Sequence, residues 1–223
     1  MDYLLHIDTS ADKCVVALSR DGQLLCSETS AETRNHASEI NISIQKVVSE
    51  AGIALSDLTA IVVCAGPGSY TGLRIGLSTA KGICYALDKP LILDNKLQIL
   101  LLQGIRIHGN SFDEYLVVLP AREKEYFVAT KDGNGNDLRA PRHIIEEELP
   151  GLPTSPESKK FVISKEIPAE ILDGIFKNSY ISNDAEIDVQ IWCEVAYEEY
   201  KCNKTVNLST SEPFYLKQVY THK

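Results

Sequence analysis

The sequence predicts an α/β protein built in two consecutive parts. Short β-rich runs come first and are followed by segments with helical spacing. A glycine-rich turn then joins an apolar run to one of those helices, and the whole pattern restarts after Gly109-Asn110. With 223 residues, 44% of them hydrophobic, the chain can bury one large core or two modest ones.

Leu4-Leu5-His6-Ile7 is a short β run that ends in Asp8-Thr9-Ser10. Cys14 to Leu18 is a second strand, Asp21-Gly22 a hairpin turn signal, and Gln23 to Ser30 a third strand, so three antiparallel strands open the chain. From Asn35 to Ala51 apolar residues fall at 37, 40, 44, 47, 48 and 51, the spacing of a helix with one buried stripe, and Gly52 is placed to end it. A strand over 59–65, a helix over 69–87, a strand over 90–93 and a helix over 96–107 follow. In the second part Tyr115 to Leu119 and Glu125 to Ala129 read as strands, with a turn at Asp132-Gly133-Asn134-Gly135. Residues 142–148 suit a short helix, 150–160 a loop, 161–163 a strand and 184–201 a helix, while Pro213-Phe214-Tyr215-Leu216 is an apolar tail that packs back onto the body. The boundary falls near residues 105–112, giving domains 1–108 and 109–223.

The net charge is -9, and no Lys/Arg cluster exceeds a pair. A protein that grips a nucleic-acid backbone needs a basic stripe, so contacts to RNA are expected to belong to a partner. The six cysteines, at 14, 26, 64, 84, 193 and 202, form no C-x-x-C pair and sit largely inside apolar runs, as reduced thiols of a cytoplasmic protein do. The start has no basic leader and no apolar run approaches membrane length, so no membrane association is expected.

Chemistry concentrates around Cys64-Ala65-Gly66-Pro67-Gly68-Ser69-Tyr70-Thr71-Gly72-Leu73-Arg74-Ile75-Gly76. A strand, a Gly-Pro-Gly turn and a helix with hydroxyls at its mouth can cradle an anion, because the first N–H groups of a helix lack partners. The plain alternative is a tight turn capped by Ser69 or Thr71. Asp8, Thr9 and Ser10 admit the same two readings: a carboxylate for hydrated Mg²⁺ with hydroxyls for phosphate, or a self-bonded polar turn. The histidines, at 6, 36, 108, 143 and 222, show no metal-ligand spacing, and His36 reads as a surface residue at a helix start.

The helix over 69–87 carries two apolar faces. Leu73, Leu77, Ala80, Cys84 and Leu87 form an ordinary core stripe, and Gly72, Ile75, Thr79, Gly82 and Ala86 run beside it. A surface helix is polar outside its single buried stripe. Either this helix is sandwiched inside one domain, or its small residues admit a helix from another subunit, joined by Ile42, Gln45 and Lys46 on the outer side of the preceding helix.

Taken together, Ile7-Asp8-Thr9-Ser10, Asn35-His36-Ala37-Ser38-Glu39, the glycine-rich stretch with Ala80-Lys81-Gly82, Ala121-Arg122 with Glu125-Tyr126-Phe127, and Glu212-Pro213-Phe214-Tyr215-Leu216-Lys217 resemble the TsaB (YeaZ) family of bacterial tRNA threonylcarbamoyladenosine biosynthesis proteins. The resemblance implies two ribonuclease-H-like (actin-like) domains, each a mixed sheet flanked by helices. It further implies a non-catalytic subunit that pairs with a TsaD-like catalytic subunit, is joined by a TsaE-like ATPase, forms a homodimer when alone and meets tRNA only indirectly. The expected partner face is Gly72, Ile75, Thr79, Gly82, Ala86 and Ile42, and Asp8, Thr9, Ser10, Gly66, Gly68, Ser69 and Thr71 become vestigial phosphate-type loops. No metal and no stoichiometric cofactor are expected, ATP or ADP with Mg²⁺ entering only in the complex. TsaD-like proteins carry an H-x-x-x-H pair after the strand that follows the glycine-rich helix. Here that region reads Leu93-Asp94-Asn95-Lys96-Leu97-Gln98-Ile99-Leu100, without histidine. The peptidase labels of the superfamily therefore do not carry over. The rival is a nucleotide-dependent enzyme of the actin-like superfamily, with Asp8 and Gly66 to Thr71 on phosphate and Mg²⁺.

Overall fold

A computed structural model describes residues 1–30, 35–165, 167 and 169–216. Lys217 and His222 lie outside the described residues. Strands β1 (Tyr3–Asp8), β2 (Val15–Arg20) and β3 (Gln23–Thr29) form an antiparallel meander. Its tight turn places Asp21 and Gly22 at φ 51° and 82°, the left-handed pair that matches a two-residue hairpin to the twist of its strands. Helix α1 (His36–Glu50) follows, and Gly52 ends its exit turn at φ 69°. Strands β4 (Ala60–Cys64) and β5 (Leu91–Asp94) add parallel to β1, separated by α2 (Tyr70–Leu87), so the sheet order is β3-β2-β1-β4-β5.

Both faces of this sheet are covered, which is why β1 and β4 are almost continuously apolar. Leu5, Ile7, Ile61, Val63 and Leu91 pack with Ile40, Ile44 and Val47 of α1 and Leu77, Ala80 and Cys84 of α2. Alternation along the strands sends Leu4, His6, Val62, Ile92 and Asp94 to the opposite face, and all five are buried. The cover there is α5 (Val189–Lys201), which lies against β1, β3 and β5 and buries Trp192, Cys193, Val195 and Ala196.

The compact units divide the chain differently from the expected boundary at 108/109. One unit is Met1–Lys96 with Asp188–Phe214, and the other is Leu97–Ile187 with Tyr215 and Leu216. The correction has a physical cause: without α5 the second face of the first sheet would stand in water. The apolar tail behaves as expected, Phe214 N–H bonding Ala65 O at 2.8 Å.

The second unit repeats the plan. After α3 (Lys96–His108), strands β6 (Glu114–Arg122), β7 (Glu125–Asp132) and β8 (Asp137–Ile145) run antiparallel, while β9 (Lys160–Ser164) and β10 (Ser179–Ser182) add parallel to β6, giving β10-β9-β6-β7-β8. Leu97, Leu100 and Leu101 of α3 cover one face with Tyr115, Val117 and Phe161. Leu172 of α4 (Ala169–Ile175) joins Leu116, Val118, Val128 and Val162 on the other. Residues 142–148 are not a helix: 142–145 complete β8, with Ile144 opposite Tyr126, and a 3-10 turn over Glu146–Gly151 follows. The last helix starts at Val189 and not at 184, because the Asp188 carboxylate caps it through the Ile191 N–H at 3.0 Å. Among the described residues no helix is long and apolar enough to cross a membrane.

Candidate functional site

The β1–β2 loop and the turn before α2 are fastened to each other. Asp8, 7% exposed, accepts the Ser10 N–H on Oδ1 at 2.7 Å. Thr9 Oγ1 donates to Gly72 O at 2.7 Å, and the Ser69 N–H donates to Ser10 O at 2.8 Å. Ser69 caps α2, its Oγ accepting the Gly72 N–H at 3.3 Å. Lys96 extends the tie: its Nζ donates to Ser10 Oγ at 3.2 Å and its N–H to Gly66 O at 2.8 Å.

The glycines of this turn make room for the chain itself. A Cβ on Gly68 would lie 2.2 Å from Ser10 O, one on Gly72 2.0 Å from Thr9 O, and one on Gly76 2.3 Å from Thr9 Oγ1. Gly66 sits at φ 111°, in left-handed backbone that favours glycine. Of the two readings of the turn, the capped and self-bonded one describes the geometry of Ser69 and Ser10. Thr71 remains exposed at a cavity of about 440 Å³ lined also by Ala11, Asp12, His36, Ser69 and Gly72. His36 is not the surface residue expected. It is 6% exposed, its ring stands 3.3 Å from where a Gly72 Cβ would be, and its Nδ1 has no hydrogen-bond partner. The close pairing of the α1 start with the Gly72 turn is what buries it.

The outer face of α2 separates the expected partner residues. Gly72 does not reach that face, because it is buried against Thr9. Ile75 is half-buried and packs on the first core, and Thr79 is half-buried. Gly82 and Ala86 are exposed, and a Cβ on Gly82 would meet nothing within 4 Å. On α1, Ile42 is 48% exposed. Tyr85, missed by a reading keyed to small residues, is 86% exposed beside Gly82 and Ala86. Its spacing from Gly82 was the available signal, since positions three and four apart share a helix face. Lys96 was also missed as a tie; its place directly after the last parallel strand brings it to the turn.

Among the described residues no group of three or more His, Cys, Asp or Glu side chains could hold a metal ion. The buried thiols are unreactive in character: burial pushes Cys14 and Cys193 up to about 12.

Two sheets with the same order and the same strand directions, three antiparallel then two parallel, define a tandem of ribonuclease-H-like units, the actin-like fold class. The family model described as TsaD, tRNA N6-adenosine threonylcarbamoyltransferase, matches residues 24–161. The tRNA threonylcarbamoyladenosine biosynthesis protein TsaB of Bacillus subtilis is 33% identical over 106 residues, 48% of this chain and 46% of its own length. The TsaB of Haemophilus influenzae is 26% identical over 233 aligned positions, 99% of this chain and 95% of its own. The chain thus spans about half the length of the first relative and nearly all of the second. The solved structure of YeaZ from Pseudomonas aeruginosa superposes with a TM-score of 0.76 at 24% identity, covering 97% of this chain and 100% of that one. The chain belongs to the TsaD-type family and, within it, to TsaB (YeaZ).

Proposed function

We propose that this chain is a non-catalytic, cytoplasmic subunit of the system that forms N6-threonylcarbamoyladenosine at position 37 of tRNA. It acts by holding a TsaD-like catalytic subunit in its competent conformation. A partner that binds one conformer raises that conformer's population by its differential affinity. The observation that carries the reading is the outer face of α2, where Gly82, Ala86 and Tyr85 are exposed together, with Ile42 of the neighbouring α1 exposed as well. Small residues there let another helix come close, and Tyr85 offers a large amphipathic side chain of the kind that anchors interfaces. The self-bonded turn at Ser69 and Ser10 supports a role without chemistry of its own. In this reading the same face makes a homodimer when the partner is absent, a TsaE-like ATPase joins the pair, and tRNA contacts fall to the partner. ATP or ADP with Mg²⁺ enters at the level of the assembled complex.

Light scattering on a size-exclusion column tests the proposal, with the chain alone and then mixed with TsaD from its own host. A homodimer that gives way to a one-to-one complex is expected, and Gly82→Arg should abolish both. A chain that stays monomeric and ignores TsaD overturns the reading. So does micromolar binding of ATP with Mg²⁺ to the isolated chain that is lost in Asp8→Ala, which would restore the enzyme.

A further inference from the structure

We propose that residues 206–214 form a strap that positions α2, so that pairing through the outer face of this helix depends on Lys81 and Asn207, which lie outside that face. The dependence of pairing rests on the reading of that face as the partner surface; the seating of α2 does not.

The strap belongs to the first unit and is fastened there at four points. Val206 makes an antiparallel bridge with Leu91, the first residue of β5, its N–H donating to Leu91 O at 2.9 Å. Leu208 packs on the first core. Lys81 Nζ donates to Ser211 O at 2.6 Å, and the Phe214 N–H donates to Ala65 O at 2.8 Å. Ala65 opens the glycine-rich turn that leads into α2, and Lys81 lies beyond the middle of that helix. The strap therefore grips α2 twice, through its entry turn and through its later half.

Asn207 sets the shape of the strap between these points. Its Oδ1 accepts the Ser209 N–H at 2.9 Å, the Ser209 hydroxyl at 2.6 Å and the Thr210 N–H at 3.4 Å. Its carbonyl oxygen accepts the Ser211 N–H at 3.0 Å. An asparagine side chain that bonds the backbone two residues on holds a turn closed. The closed turn fixes where Ser211 O stands, and the Lys81 ammonium meets it there with a charge-assisted bond, roughly twice as strong as a neutral one. Lys81 and Tyr85 are four residues apart and so are neighbours on the helix surface. The tie thus borders the exposed Gly82, Tyr85 and Ala86. Helices pack by fitting the ridges of one into the grooves of the other. A shift of α2 would therefore misplace Tyr85 and the space beside Gly82 together. Asn207 is exposed and acts on α2 through Ser211.

Three variants of the full chain test the strap: Lys81→Met, which keeps the aliphatic stem but not the donor; Asn207→Ala, which opens the turn; and Lys81→Arg, whose guanidinium can still donate to Ser211 O. Affinity for the host's TsaD is measured by calorimetry, and amide exchange over 78–87 is followed in the isolated chain. Lys81→Met and Asn207→Ala should each speed that exchange and weaken pairing by roughly 2–30-fold, the range for residues that act on a site without touching the ligand. Lys81→Arg should restore both. If the native chain pairs and Asn207→Ala pairs equally well, the strap is overturned and the proposed function stands. Loss of pairing in Lys81→Met alone would place Lys81 in the contact itself and also overturn the strap. If the native chain ignores TsaD, the proposed function fails, and unchanged exchange over 78–87 in Asn207→Ala would overturn the strap as well.

Discussion

Alanine at two glycines of the same helix should act with opposite signs. At Gly82 the added Cβ meets nothing within 4 Å and the position is exposed. Glycine inside a helix costs about 0.8–1.0 kcal/mol relative to alanine, so Gly82→Ala should stabilise the isolated chain by roughly that amount. For a chain of this size the gain corresponds to a Tm increase of about 2–4 °C. At Gly72 the same Cβ would stand 2.0 Å from Thr9 O and 3.3 Å from the His36 ring. Overpacking of that kind costs roughly 1–3 kcal/mol, more than the propensity gain, and it pushes against the backbone that Thr9 Oγ1 ties to Gly72 O. Gly72→Ala should therefore be the less stable of the pair by about 1–3 kcal/mol after both effects are combined. Urea and thermal unfolding of the two variants measure this. A destabilised Gly82→Ala, or a Gly72→Ala as stable as Gly82→Ala, would refute the placement of these residues. Adding TsaD separates stability from pairing. If another helix packs closely at Gly82, Gly82→Ala is more stable alone yet binds less tightly, and a gain in both would refute close approach.

Two more outcomes follow from the face that α5 covers. Trp192→Ala removes a fully buried indole and leaves Asp94 Oδ2 without its donor, so unfolding free energy should fall by about 3–5 kcal/mol; a loss under about 1 kcal/mol in urea titration would show that α5 contributes little to the first unit. His6 is held neutral in the fold, with a pKa near 3 against 6.5 unperturbed, so the unfolded chain takes up a proton that the folded chain refuses as the pH falls below 6.5. Stability should then decline from pH 6.5 towards 3 by up to about 1.4 kcal/mol per pH unit, and His6→Gln, which keeps a partner for Ser19 Oγ, should flatten that acid limb.

What the sequence makes legible is what local periodicity encodes. The hairpin at Asp21-Gly22, the stripe at 40, 44, 47 and 48 of α1, and the strand-turn-helix from β4 to α2 all follow from spacing and turn chemistry. β8 escaped because it is an edge strand: of its nine residues only Ile144 is buried, and Pro141 and Arg142 break the alternation that a covered strand would show. β10 is four residues with none buried, too short for a period to register. The membership of α5 is a different kind of miss. Nothing in Val189–Lys201 says which sheet its apolar face will meet, and the clue lay far away, in a β1 whose two faces both needed covering.

The partner face shows the same limit more sharply. Small residues at helical spacing announce that something comes close without saying what. Gly68, Gly72 and Gly76 are four apart and their approach is to Thr9 and Ser10 of the chain's own β1–β2 loop. Thr79, Gly82 and Ala86 lie on another line, three and four apart, and at Gly82 that line ends in open space. Gly72 reads equally well as a member of either series, because a step of three to Ile75 and a step of four to Gly76 are both helical neighbours. Only the third dimension assigns it to the loop. What then remains on the outside is a shorter face centred on Gly82 and Ala86, with Tyr85 supplying the bulk that the small residues lack. A contact built this way depends on one large side chain and the space beside it, so Tyr85→Ala should cost pairing as severely as Gly82→Arg while leaving the urea midpoint of the isolated chain unchanged. Pairing that tolerates Tyr85→Ala would place the contact elsewhere on the molecule.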